Sequence, residues 1–194
     1  MSKPNGHESF KPLSEQMTYG LTLKESETFS HPLEGHLFAI LKHNDGREEH
    51  RDLGKNIITN AASVLLARLV RNNSDPAHGA YALAVGTGAI GWDPFNPPPA
   101  TASQTQLQNE LFRKTFQSVN FTVGGTVSGS PTNVLDLTTF FVESEANGIL
   151  VEMGIVGGDA TLTANTGTLL NYRTFAAITK PPTATLSLVW RITF

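Results

Sequence analysis

The clearest pattern of hydrophobic and polar positions lies in the last eleven residues of the chain, 184–194. Every second position there is apolar: Leu186, Leu188, Trp190, Ile192 and Phe194. Ser, Arg or Thr occupies three of the four positions between them, and Thr185 precedes them. Because side chains alternate between the two faces of a strand, this pattern predicts an antiparallel β-strand with one face buried.

Shorter apolar runs separated by turn signals predict the remaining strands. Residues 36–42 and 47–53 flank Asn44-Asp45-Gly46, whose residue types tolerate positive φ, so they predict a β-hairpin. Asn147-Gly148 predicts a second hairpin turn. Further strands are predicted at residues 80–85, 111–122, 134–142, 149–156 and 169–178. About seven or eight strands with turns between them indicate a mainly β fold, an antiparallel β-sandwich.

One long helix is predicted, near residues 60–70. Thr59 or Asn60 can cap its first free N–H groups. Apolar residues follow on nearly every side, so we expect the helix to pack on more than one face. Residues 103–109 are predicted to add a turn or two of helix.

Residues 1–35 differ from the rest of the chain, because they are polar and follow no period of 2 or 3.6. They are predicted to be either a flexible terminus or an extended N-terminal arm that becomes ordered on a neighbouring subunit. Four alternating apolar residues within them could add a strand to a partner's sheet edge: Met17, Tyr19, Leu21 and Leu23. The predicted domains are thus the arm, 1–35, and the β-sandwich, 36–194.

The composition limits the classes of partner. Charged residues make up 16% of the chain and the net charge is −3, so neither nucleic acid nor an anionic membrane is an expected partner. The longest strongly apolar run, near residues 64–70, is too short to span a membrane, and the first residues lack the apolar core of a signal peptide. The chain has no cysteine, which suits assembly in a reducing cytoplasm.

Candidate cofactor and metal motifs lack the context that their chemistry requires. Gly86, Gly88 and Gly91 form a G-x-G-x-x-G pattern, but Asp93 and a run of prolines follow where a nucleotide-binding helix would begin. The six histidines show no spacing typical of a metal site. We therefore expect no cofactor and no metal.

Glu152 is the most informative carboxylate, since it lies within an otherwise apolar strand. A buried carboxylate needs a partner, because leaving it unpaired is costly. Arg173 and Arg191 on neighbouring strands are the candidates, which predicts a structural ion pair. No convergent set of acids and bases accompanies it, so we expect no catalytic residues and no enzymatic activity.

The loop from Trp92 to Pro99 is the best candidate for contact with another molecule. Rigid prolines lie beside exposed aromatic residues, which lose little entropy on binding. The candidate interface residues are Trp92, Phe95, Pro97, Pro98 and Pro99. Three interpretations stay open: the loop covers the protein's own core, forms a subunit interface, or contacts a glycan or receptor.

Four blocks occur in a fixed order: residues 56–62 (NIITNAA), 81–88 (YALAVGTG), 145–155 (EANGILVEMGI) and 184–194. Together, at this spacing, they resemble a group of small structural proteins of tailed-bacteriophage particles. The resemblance covers roughly residues 36–194. It rests on the pattern of strands and turns and on no catalytic residue.

The resemblance implies a virion protein that assembles in the host cytoplasm with copies of itself and with other virion proteins. The expected place is the tail, baseplate, neck or collar, with a fibre or adaptor role. A capsid decoration (cement) protein is the alternative. A host-receptor or carbohydrate-binding module, with a host surface glycan as ligand, is an alternative of another class.

Overall fold

The structure is a computed structural model that describes residues 33–71 and 78–194. Leu33–Phe194 forms one compact unit. The predicted arm therefore lies outside the described residues, apart from its last three positions. The arm residues predicted to form an interface lie outside them too: Met17, Tyr19, Leu21 and Leu23.

The described residues form ten β-strands and one helix, α1. The strands are β1 (Glu34–His43), β2 (Glu48–Ile58), β3 (His78–Gly86), β4 (Glu110–Thr115), β5 (Ser118–Val123), β6 (Thr126–Val127), β7 (Val134–Phe141), β8 (Gly148–Gly158), β9 (Thr168–Lys180) and β10 (Ala184–Thr193). The helix α1 spans Asn60–Arg71. The predicted hairpin is confirmed as β1 and β2, which pair antiparallel.

The strands form a single antiparallel sheet in the order β4-β3-β8-β9-β2-β1-β10-β7-β5-β6. The strand β2 pairs with β1 along most of its length but with β9 only at Ile57 and Ile58. The sheet bends at this corner, so that its two halves pack face to face. Residues of both halves, including Leu83 and Trp190, share one hydrophobic core. This is the mainly β, sandwich-like fold with one helix that the sequence predicts.

The alternation in β10 sets the centre of the core. Its apolar positions from Leu186 to Ile192 are buried, and the positions between them are half-buried. Phe194, which continues the pattern, lies beyond the strand and is exposed. Phe112 and Phe141 meet edge to face at 6.0 Å between ring centroids, which joins the two halves of the sheet.

The helix α1 begins where the sequence predicts. The Thr59 hydroxyl accepts a hydrogen bond from the N–H of Ala62 at 3.2 Å and donates to the Leu169 carbonyl, so it caps the helix and ties it to β9. The prediction that α1 packs on more than one face is wrong for its described side chains. Leu65 is buried, whereas Leu66 is 48% exposed.

The structure corrects three local predictions, two of them through the pairing of the strands. Residues 111–122 form two strands, because Gln117 donates its backbone N–H to Thr138 and the chain crosses there to the other half of the sheet. Asn147-Gly148 does not close a hairpin, since β7 and β8 lie in different halves of the sheet and do not pair. Residues 103–109 contain no helix.

Candidate functional site

Residues 87–109, called here the proline-rich loop, join β3 to β4 and are anchored by the buried carboxylate of Glu152. The residue is 0% exposed. Its Oε1 accepts the backbone N–H groups of Gly88 at 3.1 Å and Asn109 at 2.8 Å. Its Oε2 accepts the N–H of Gln108 at 2.9 Å and the hydroxyl of Tyr172 at 2.5 Å. One side chain thus holds both ends of the loop against the sheet.

The structure corrects the predicted ion pair of Glu152 with Arg173 or Arg191. Arg191 instead forms a bidentate pair with Asp136, with both N–O distances at 2.7 Å. Arg173 donates its Nε–H to the Leu53 carbonyl at 2.8 Å. In the register of β8 and β9 it lies opposite Met153, one position from Glu152. Successive side chains of a strand point to opposite faces, so the arginine and Glu152 point apart.

The hydroxyl of Tyr172 is a dependable donor to Glu152. Burial and the neighbouring carboxylate raise the pKa of Tyr172 above its ordinary value of 10.0, because both disfavour the phenolate. The hydroxyl therefore stays protonated at neutral pH. Four donors satisfy a carboxylate that has no cationic partner among the described residues.

An irregular segment of β9 provides a second anchor for the proline-rich loop. Residues 175–177 of β9 lie opposite the single residue Val151 of β8, which forms a bulge. Within it, the N–H of Ala177 donates to the Pro94 carbonyl at 2.7 Å. Just before it, the Thr174 hydroxyl donates to the Pro98 carbonyl at 2.7 Å. The loop is therefore fixed at its middle as well as at its ends.

The residues predicted as an interface divide into an inner and an outer group. Trp92 is half-buried and lies so close to Gly88 that a Cβ on the glycine would come within 2.5 Å of the ring. Phe95 is 82% exposed. Pro97 is half-buried, and Pro98 and Pro99 are exposed. The loop covers the protein's own sheet with Trp92 and presents Phe95 outward.

A cleft of about 470 Å³ lies between the β1–β2 hairpin and the proline-rich loop. Its charged wall is arranged around Glu49, whose carboxylate faces His43 Nε2 at 3.1 Å, Arg47 Nη1 at 2.8 Å and Arg51 Nη2 at 3.4 Å. Its apolar wall includes Phe95 and its neighbour Pro94 from the proline-rich loop. Residues from distant parts of the chain complete this wall: Ile149, Ala177 and Pro181. We call this the Arg–Phe cleft.

A second concavity of about 360 Å³ lies between α1 and one end of the sheet. None of the described side chains that line it is charged, and they include Leu66, Val119 and Phe194, all partly open to solvent. Asn171 also lines it, is 3% exposed, and donates no hydrogen bond from Nδ2 to the described residues. We call this the α1 groove. No sequence pattern indicated it, because its lining comes from seven separate parts of the chain.

The histidines of β1 and β2 pair with carboxylates and do not converge as ligands. His36, His43 and His50 each contact a different carboxylate of β2. Within residues 33–71 and 78–194, no cluster of three or more side chains suits a metal ion. Among the same residues, no helix combines the length and hydrophobicity needed to span a bilayer.

The chain was compared with known protein families and with curated protein sequences. No family model matches it. No curated sequence matches it either. The likeness of the four sequence blocks to phage structural proteins stays a prediction.

Proposed function

We propose that this protein is a structural subunit of a tailed-phage particle and acts by symmetric protein–protein assembly, without a chemical step. The observation that carries the proposal is the α1 groove, a concavity whose described side chains are uncharged, several of them apolar and exposed. Exposed apolar side chains that cluster in a concavity are candidates for contact with a partner, because covering them removes apolar surface from water.

Burial of the α1 groove alone supplies too little free energy to hold an assembly together. Full burial of a Leu or Phe side chain stabilises an assembly by roughly 1.5–3 kcal/mol, and covering a half-exposed one gains part of that free energy. Leu66, Val119 and Phe194 together therefore supply about 2–4 kcal/mol. Association costs at least ~4 kcal/mol in lost translation and rotation. We infer that the proline-rich loop or the arm adds contacts in the assembly, and that closed symmetry repeats each contact.

The resemblance in the four sequence blocks supports a place in the tail, baseplate, neck or collar, including a fibre-adaptor role. A capsid decoration protein is the alternative within the same class. A trimer in solution favours a fibre, spike or decoration knob, whereas a sixfold or twelvefold ring favours the tail or neck. In each case the partners are copies of this chain and other virion proteins.

A host-receptor or carbohydrate-binding module is the candidate of another class. The exposed Phe95 ring favours it, because a ring held outward beside prolines can stack on a sugar. Saturable binding to host surface glycans, lost in Phe95→Ala, would support this function. Assembly without glycan binding would favour the structural role.

Light scattering of the full-length protein tests assembly directly. We expect a defined homo-oligomer that dissociates in Leu66→Glu, since this half-exposed side chain can take a charge without unfolding the monomer. Leu162→Glu, an exposed apolar residue outside the α1 groove, is the matched control and should leave the mass unchanged. Tyr19→Ser with Leu21→Ser, in the full chain, measures the contribution of the arm. An oligomer that survives Leu66→Glu would contradict the role of the groove.

Immunogold labelling of phage particles from cells that carry this gene tests the location. Label on the tail, baseplate or collar is the expected result. Label spread over the head would favour the decoration alternative. Particles that bind no antibody, from cells that make the protein, would overturn the proposed function.

A further inference from the structure

We propose that the Arg–Phe cleft binds a segment of a partner protein that presents a carboxylate beside an apolar side chain. This inference goes beyond the proposed function, because it assigns partner chemistry to a surface other than the α1 groove. The cleft joins a cationic wall and an apolar wall within about 470 Å³, a volume in the usual range of ligand sites.

The cationic wall has donors to offer a carboxylate. The side chains of Arg47 and Arg51 are 59% and 40% exposed, and Glu49 is the only acidic residue among the described residues that line the cleft. The two guanidinium groups and this single carboxylate therefore give the wall a net positive charge. Arg47 donates from Nη1 to Glu49, and a guanidinium has further N–H groups arranged in a planar fork that matches a carboxylate.

The apolar wall suits a Leu, Phe or similar side chain. The side chains of Phe95 and Ile149 are both exposed. The backbone beside Phe95 is fixed, because the N–H of Ala177 donates to the Pro94 carbonyl at 2.7 Å. A ring held on a fixed backbone loses little conformational freedom when it is covered. The wall is therefore ready to bind before a partner arrives.

Side chains, rather than an added strand, must provide the recognition. The backbone groups of Ala177 at the base of the cleft are already used: its N–H donates to Pro94 and its carbonyl accepts from Arg51 Nη1 at 2.7 Å. A strand docking at Ala177 would therefore find neither of its backbone groups free. Nucleic acid fits poorly, because a phosphate backbone needs a line of cations and Glu49 lies at the centre of this wall.

The carboxylate could belong to an Asp or Glu side chain within a segment or to the C-terminus of a chain. Both sources offer the same two oxygens to the same guanidinium. An array of synthetic peptides separates them. One arm holds peptides with an amidated end and an internal Glu beside one apolar residue, each with a Gln twin. The other arm holds the same Gln peptides with a free terminal carboxylate.

The array is probed with full-length protein, and affinities of retained peptides are measured by fluorescence anisotropy. We expect carboxylate-bearing peptides to bind at least about tenfold more tightly than their uncharged twins, the factor for a charge-assisted hydrogen bond of ~1.5 kcal/mol. The arm in which binding occurs identifies the source. Equal binding of twins, or no binding in either arm, would overturn the proposal.

Variants of the full-length protein locate the site. Arg47→Gln and Phe95→Ala should each weaken the retained peptide about tenfold. Lys55→Gln is the matched control, since Lys55 is an exposed cation on the same strand pair but outside the cleft and pairs with Glu34. Unchanged affinity in Arg47→Gln would place binding elsewhere and refute the assignment. The oligomeric state, measured separately by light scattering, judges the proposed function independently.

Discussion

Replacing Glu152 by Gln should destabilise the protein by about 3 kcal/mol, although the two side chains have nearly the same shape. The carboxylate accepts four hydrogen bonds with two oxygens. A glutamine has one acceptor oxygen and one NH₂ group, which cannot accept from a backbone N–H. The least harmful orientation places the NH₂ near Tyr172, whose hydroxyl can turn to accept. The N–H of Gln108 then loses its partner.

The magnitude follows from this count of bonds. Leaving the part-buried N–H of Gln108 unpaired costs about 1 kcal/mol, and each bond kept by the neutral amide loses part of the ~1.5–3 kcal/mol of a charge-assisted bond. Relief from burying a charge offsets some of this loss. With a urea m-value of about 2 kcal/mol/M, a loss of ~3 kcal/mol lowers the unfolding midpoint by ~1.5 M.

Urea unfolding followed by tryptophan fluorescence measures the effect, because Trp190 reports on the core and Trp92 on the proline-rich loop. Tyr172→Phe is the matched control: it removes one donor and leaves the three backbone N–H bonds, so it should cost only about 1–2 kcal/mol. A Glu152→Gln protein that unfolds at or above the wild-type midpoint would refute the reasoning. So would a larger loss in Tyr172→Phe than in Glu152→Gln.

Three further predictions concern the core, the acid response and the loop. Phe141→Ala should cost about 3–5 kcal/mol in urea unfolding, because it leaves a cavity at the centre of the core. Although burial raises the pKa of Glu145, hydrogen bonds from Lys114 and a backbone N–H hold it below its ordinary 4.5. Its stabilisation is therefore complete above pH 4.5 and lost as pH falls through the folded-state pKa, and Lys114→Met should flatten this acid loss in pH-dependent melting. Gly88→Ala should shift Trp92 fluorescence and cost over ~1 kcal/mol, since Gly88 has φ of +73° and a Cβ would collide with the ring.

Local patterns were sufficient to predict most of the strands and the helix start. The alternation of β10 identified its buried face as far as Ile192, and Thr59 caps α1 as its position before the apolar run indicated. These features depend on side chains within a few residues of one another. Phe194 departs from the pattern, because it lies just past the end of the paired strand.

Pairing between distant strands was not predictable, and the corrections follow from it. The sequence placed Arg173 on a strand next to Glu152, and β9 does lie beside β8. Whether the two side chains share a face depends on register, which a one-residue shift reverses. The bulge at residues 175–177 shifts that register by two residues, so it moves the pairing along the strands without exchanging their faces. Its anchor, the Pro94 carbonyl, is more than eighty residues away along the chain, so no local pattern contains it.

The corner between β2 and β9 explains why a cationic cleft exists on a protein of net negative charge. Beyond Ile57 and Ile58 the two strands separate, and their facing edges need partners that a continuous ladder would have supplied. Arginine side chains bridge the gap: Arg51 donates to the Ala177 carbonyl and Arg173 to the Leu53 carbonyl. Long cationic side chains thus gather at the corner for a structural reason, and their remaining donors face solvent. A carboxylate from a partner would accept hydrogen bonds from the arginine N–H groups that do not bridge β2 and β9.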